Sequence, residues 1–407
     1  MTSPRELIRK YEPVLRFSTD GEGEPELFFP MAARDYVHTC GLRRRFVGWE
    51  KEPGSTLFAD LITVSQPEEC YLVFAAGDLG GEIALESGAV LQMADHGLEL
   101  AQAPPGDEIA LEGMRGERQI MPRMLLDSGQ AAQLEQALDG ETEIDRQPLI
   151  PEEVSGWFGD KAEKTMQGGL ETAAPGIALE SAALDLEWMQ FPALAALPAV
   201  IRARAIEKYE PFRDWTRFPP VYHFHVSHDR GYKVLQYWFL YPYNDWASHG
   251  GHNDHEGDWE VIYVFLDQHE QPRHVAYSRH VAVGPLYGPS TAVWADVETV
   301  EGTHPVVYVG CGSHASYITK GKHRFFLYID RAKGDDIAIG PGTDQLWGEP
   351  VSLSYRPWNR RFSGPWGALI TSWLGKVLPN TEGPSGPGQK GDKWSRPATW
   401  AGIPAGS

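Results

Sequence analysis

Cysteine is scarce. Cys40, Cys70 and Cys311 are three in 407 residues, an odd number in a long chain, which excludes a disulfide framework and leaves all three expected as reduced thiols. Positive charge is also in short supply: 36 Lys and Arg stand against 56 Asp and Glu, for a net charge of −20. That balance excludes a sequence-independent nucleic-acid binder. It also means that an anionic membrane surface repels the chain as a whole unless a metal ion bridges the contact. Long apolar runs are missing. The most apolar stretch, Phe191–Ile201, is too short to span a bilayer and carries two prolines. The opening MTSPRELIRKYEP has no apolar run either, so the expectation is a soluble, cytoplasmic protein without a secretory signal, with non-classical export left open. No GxGxxG, Walker loop, heptad run or fixed-period repeat occurs. What is present, 42% hydrophobic and 11% aromatic residues, is ample for a large packed core.

The composition shifts along the chain. Gly81–Val200 holds 22 Asp and Glu against 6 Lys and Arg and reads as a solvated acidic insertion, with short strands near Glu82–Met93 and a helical patch at Gln130–Leu138. The alternative is an acidic docking surface. Before it, Val14–Ser18, Leu27–Phe29, Leu57–Val64 and Tyr71–Ala76 carry strand signals, so 1–80 reads as an N-terminal β segment of the core. Ala195–Tyr209 has helical spacing. The stretch 201–340 is the expected β-sandwich core, with strands at Tyr222–Ser227, Tyr232–Tyr241, Asp258–Leu266, Arg273–Ser278, Pro305–Gly310 and Arg324–Ile329. The Trp-, Gly- and Pro-rich 341–407 is expected to pack on that core as ordered loops. The fold class is therefore mainly β, α+β overall.

Chemistry concentrates in one place. Twelve of the 14 histidines lie between His223 and His323. At their centre, Asn244–Glu260 joins two apolar strands by a polar loop that includes His249, His252 and His255. A strand starting near Asp258 puts Asp258, Glu260, Ile262 and Val264 on one face. Two carboxylates in line with core residues are costly unless paired or metal-bound. Spaced two residues apart, about 6.5–7 Å, they converge on a single ion, with His255 supplying a nitrogen and Asp245 closing the loop. One imidazole with three carboxylates suits Mg²⁺, Ca²⁺ or Mn²⁺. The bland alternative is a hydrogen-bonded loop with salt bridges to Arg273 or Arg279. Two further histidines end strands: His314, in Gly310–Ser316, and His280, in Tyr277–Gly284. Each is a candidate catalytic base or a structural turn residue.

LQYWFLYPYND (Leu235–Asp245), HEGDWE (His255–Glu260), HPVVYVGCGSHASY (His304–Tyr317) and GPSGPGQKGDKW (Gly383–Trp394) resemble the vacuolar protein sorting-associated protein 62 family. KYEPVLRFS (Lys10–Ser18) and FFPM (Phe28–Met31) resemble its bacterial members. That family is similar in turn to the necrosis- and ethylene-inducing peptide-like toxins. Their G-H-R-H-D-W-E heptad binds a divalent cation, and their fold is an actinoporin-like β-sandwich. The resemblance implies that His255, Asp258 and Glu260 are metal ligands, with Asp245 matching an aspartate at the end of the preceding strand. Asp254, Glu256 and Gly257 depart from the heptad, and the toxins' disulfides and secretion have no counterpart here, so cytolysis is not implied.

Three functions follow as expectations. The first is a cation-binding β-sandwich protein whose ion engages a small polar ligand, a glycan or a lipid head group. The second is a hydrolase-type enzyme using the ion as Lewis acid with His280 or His314 as base. The third is a structural or trafficking partner with a purely structural ion.

Overall fold

The computed structural model describes residues 2–20, 22–44, 48–49, 54–75, 82–84, 90–94, 97–102, 192–246, 254–279, 289–325, 328–367 and 384–406. The chain is mainly β, with several sheets and a few helices. Its centre is a six-stranded sheet whose order is Ser290–Val293, Pro272–Tyr277, His255–Leu266, Tyr232–Asn244, His223–Asp229 and Val351–Ser352. The two long central strands pair antiparallel over their whole length, from His255 opposite Asn244 to Leu266 opposite Lys233.

Both central strands outrun the stretches that sequence alone marked. Tyr232–Asn244 continues past Pro242, and His255–Leu266 begins three residues before Asp258. Pro242 has no N–H to give a ladder. It is tolerated opposite Gly257, between the Glu256–Tyr243 and Asp258–Tyr241 pairs. Gly257 has φ +60°, and any Cβ there would collide with the Trp366 carbonyl and the Tyr36 hydroxyl.

A second sheet is built around His304–Val309. Val14–Arg16 pairs with it in parallel, and Ala338–Ile339 extends the sheet on the far side of Val14–Arg16. The two sheets share one apolar core: Leu15, Phe17, Val307 and Val309 pack in the same cluster as Tyr237, Phe239, Tyr241 and Ile262. Tyr277 donates to the Val306 carbonyl across the layers, and Phe17 meets Tyr241 at 6.4 Å between ring centroids. The opposite face of the large sheet is covered by indoles of the C-terminal region. Trp366 packs edge-on to Trp259, Trp400 against Tyr263, and Trp394 stacks on His225 at 4.2 Å. Sheets apolar on both faces are covered on both faces, as here.

Three expectations are corrected. Leu57–Val64 is not a strand: Phe58–Thr63 is a helix, started by the Asp60 carboxylate accepting the Leu57 N–H at 2.8 Å. Its apolar residues fall at helical spacing, with Leu61 buried and Phe58 and Ile62 against the core, and in so short a run the two periods are easily confused. Arg324–Ile329 is not one strand: its two ends belong to separate strands, Gly321–Phe325 and Tyr328–Ala332, that pair antiparallel with each other. Leu27–Phe29 belongs to no strand. The helix Pro192–Tyr209 runs across the expected boundary at residue 200 and buries Ile201, Ala205 and Tyr209 in the main core. Within the acidic stretch, Glu82–Ala84, Val90–Ala94 and Gly97–Gln102 form a three-stranded sheet; Gln130–Leu138 lies outside the described residues. Among the described residues, no helix is long and apolar enough to cross a membrane.

Candidate functional site

The expected ligands sit at one end of the two-sheet core, where the long central strands end and begin. Asp258 faces the shared core opposite Tyr241. Its Oδ2 is 3.1 Å from His314 Nδ1 and accepts from Asn244 Nδ2 at 3.2 Å. His314 arrives from the second sheet, on the turn that follows His304–Val309. The turn is closed by His314 N–H donating to the Gly310 carbonyl and Gly310 N–H donating to Ala315. Its tightness needs left-handed residues, Gly312 at φ +68° and His314 itself at φ +55°. Gly312 is also pressed against the Asp245 backbone, where a side chain would clash. The small residues of Gly310–Ser313 thus let the turn reach the end of the neighbouring sheet.

His314 is fully buried and its ring lies flat on Tyr241, 3.9 Å between centroids. Its Nε2 is 3.6 Å from Glu26 Oε1, an ion-pair contact too long for a hydrogen bond. Burial by itself favours the neutral ring, but Glu26 and Asp258 on either side outweigh it and lift the imidazole pKa to about 10. The same pairing acts on the carboxylates. Burial works against the charge of Asp258, yet the His314 hydrogen bond and nearby positive charge bring it down to about 2. Glu26 is likewise held below the usual range despite burial, by His314 and by the amides of Gly312 and Phe28. The centre is therefore an acid–imidazolium–acid stack.

The other expected ligands surround this stack without joining it. Asp245 Oδ2 is bonded to Arg202 Nε at 2.7 Å; burial and the Glu26 charge raise its pKa to about 6 in spite of Arg202. His255 is buried, which lowers its pKa, and its Nδ1 finds no hydrogen-bond partner among the described residues. Asn244 Oδ1 and Asp254 Oδ1 are in the same position. Burial, and Asp245 nearby, push Asp254 well above the usual carboxylate range. Glu260 lies two residues beyond Asp258, and its charge is felt by Lys390 and Lys393 of the C-terminal region. Glu256 turns away and accepts from the Phe74 and Ala75 amides. Among the described residues, no three His, Cys, Asp or Glu side chains converge as a ligand set. The donor types fit a hard divalent cation, while the carboxylates are engaged with His314 and Arg202.

A cleft of about 330 Å³ opens beside this end, lined by Glu22, Glu24, Glu26, Asp245, Arg202 and Arg331 among others. Cys311 also lines it, its thiol pKa raised by burial and surrounding acids. All three cysteines are free. Of the expected site residues, Asp245, His255, Asp258, Glu260 and His314 are found at this end; His280, His249 and His252 lie outside the described residues. Although His314 and Asp258 lie on different strand ends, 56 residues apart, the two are hydrogen-bonded. Arg273 pairs with Asp267. Glu26 and Arg202 were missed, since neither stands in a recognisable motif and each reaches the site from a distant segment.

No protein-family model matches the chain, and no curated protein matches it. Solved structures show a distant likeness to necrosis- and ethylene-inducing proteins. One, described as a toxin fold as basis for microbial attack and plant defense, shares 11% identity over 44% of this chain, with a TM-score of 0.27. Another, Necrosis and Ethylene inducing Protein 2 from the causal agent of cocoa's witches' broom disease, shares 18% identity over 39%, with a TM-score of 0.24. A third, NLPPya in complex with glucosamine, shares 13% identity over 39%, again with a TM-score of 0.24. The chain spans 66% of the length of each. At this distance the likeness assigns no residue and no ligand.

Proposed function

We propose that the chain is a binding protein in which Asp245, His255, Asp258 and Glu260 hold a divalent cation, Mg²⁺, Ca²⁺ or Mn²⁺, and the ion engages a polar ligand, a glycan or a lipid head group, at the acidic cleft. One observation supports this reading above the others: among the described residues, this end of the sheets buries more carboxylates than cations bonded to them, with Lys390 and Lys393 as further positive charge near Asp258 and Glu260. Glu26, Asp245, Asp254 and Asp258 are all buried, with His314 and Arg202 as their bonded or ion-paired cations. The cost is visible at Asp245 and Asp254, whose pKa values are raised. Among the described residues, His255 Nδ1 and Asn244 Oδ1 find no hydrogen-bond partner. A bound cation supplies charge that these oxygens lack. Arg202 orients Asp245, and His314 orients Asp258 while holding it ionised. The resemblance of His255–Glu260 to the metal-binding heptad of the necrosis- and ethylene-inducing peptide-like toxins implies His255, Asp258 and Glu260, with Asp245 matching an aspartate at the end of the preceding strand.

Binding is favoured over catalysis through His314 by where that side chain sits. His314 is fully buried, stacked flat on Tyr241, and has its Nδ1 on Asp258, a placement that leaves no open side from which a substrate could hand it a proton. The test is a thermal melt in chelator and then in each of Mg²⁺, Ca²⁺ and Mn²⁺, with calorimetry alongside. A hundredfold excess over Kd stabilises by about 2.7 kcal/mol, and Asp258→Asn or Glu260→Gln removes most of that gain. Melting curves indifferent to chelator and to all three ions, with no heat of binding, refute the proposal.

A further inference from the structure

One patch of this acidic chain runs against its overall charge. From Pro350 to Gly367 the sequence holds Arg356, Arg360 and Arg361 and no Asp or Glu. All three arginines are exposed. Among the described residues none has a carboxylate within ion-pair distance, although 56 acids are present in the chain. Arg356 is the extended residue just before the short helix Pro357–Arg361, and Arg360 and Arg361 close that helix. Arg356 Nε is spent on the Ser352 carbonyl, and Arg360 lies over the ring of Tyr355 at 5.6 Å.

Tyr355 breaks a second rule. It is 84% exposed and held at φ +61°, a left-handed conformation that a side chain with a Cβ adopts only at a cost. Its mount is firm. Val351–Ser352 pairs with the edge of the large sheet, Leu353 N–H donates to the Phe224 carbonyl, and Ser354 Oγ meets His225 Nδ1 at 3.0 Å. The helix is fixed by Phe58, whose ring lies on Trp358 at 4.7 Å, and Leu57, one residue earlier, is 50% exposed. The nearby Asp60 carboxylate is occupied with the Leu57 amide.

Three exposed arginines with no carboxylate beside them among the described residues, and a strained, outward tyrosine next to them, cost stability, and such violations gather where a surface has a task. We infer that this patch docks the protein on an anionic lipid bilayer, with Arg356, Arg360 and Arg361 against phosphate groups and Tyr355 and Leu57 at the head-group level. The exposed ring and the exposed leucine favour a bilayer over a soluble polyanion, which would use the guanidiniums alone; aromatic rings with a polar edge settle at that depth. The net charge of −20 does not forbid it, because charges beyond about 8 Å are screened at physiological salt.

Vesicle co-sedimentation in the presence of chelator tests this apart from the cation site. Wild type is expected to bind vesicles of phosphatidylcholine mixed with phosphatidylserine, not phosphatidylcholine alone, and to be released as salt rises. Each arginine contributes about fivefold, so the R356Q/R360Q/R361Q variant should lose on the order of 100-fold, and Tyr355→Ser a smaller part. Failure of wild type to bind the mixed vesicles overturns the inference. So does equal binding by the triple variant, binding that vanishes in chelator, or capture by soluble polyglutamate with no vesicle binding.

Discussion

Replacing His314 by leucine tests the charge balance of the site directly. Leucine keeps apolar volume in a fully buried position and removes a side chain that, when charged, contacts both Asp258 and Glu26. Breaking a buried ion pair by removing one partner costs about 3–5 kcal/mol, because the remaining charge stays desolvated. The lost stack on Tyr241 adds about 0.5–1.5 kcal/mol. Relief comes partly from protonation of the orphaned carboxylates, so a net loss of about 3–5 kcal/mol is expected. Urea unfolding followed by tryptophan fluorescence, in chelator, measures it. Adding Asp258→Asn in the same chain removes one of the stranded charges, so the two substitutions should couple by about 1–3 kcal/mol rather than add. A His314→Leu loss below about 1 kcal/mol, or strict additivity with Asp258→Asn, would show that the imidazolium does not neutralise the acids and refute the reasoning.

Gly257→Ala should destabilise by about 2–5 kcal/mol in the same urea assay, from a left-handed residue with a Cβ and a collision with Trp366 and Tyr36. His223 is buried, and burial lowers its pKa from 6.5 to about 3. Between those values the unfolded chain binds a proton that the folded chain refuses, so this residue makes stability fall on acidification from pH 6.5 toward 3, by about 1.4 kcal/mol per unit, and contributes no slope above 6.5. His223→Gln should flatten that slope relative to wild type in a pH series of urea midpoints. Mass spectrometry without reductant should find Cys40, Cys70 and Cys311 unlinked, as their free thiols require.

Much of the architecture was legible in the sequence because strands announce themselves locally. The runs at Tyr232–Tyr241 and Asp258–Leu266 are apolar and β-branched enough to mark two central strands, and the structure pairs them with each other. The crowding of histidine and acid around His255 also needed no structure to be seen. Extending those strands to Asn244 and back to His255 was not legible. Pro242 and Gly257 read as breakers one at a time, and only their placement opposite each other makes them harmless. Leu57–Val64 failed for a related reason, since eight residues carry too little period to separate helix from strand.

The sequence alone therefore determined a β-rich class, the acidic charge and the segment where the polar groups gather. Tertiary structure decided what those groups touch. Asp258 meets His314 56 residues away, Asp245 meets Arg202 43 residues away, and the Gly312 amide meets Glu26 across 286. Spacing encodes only what lies within a few turns or one strand. Which distant charge neutralises a buried carboxylate is settled when the sheets close over it, because the cost of burying that charge arises only in the packed interior.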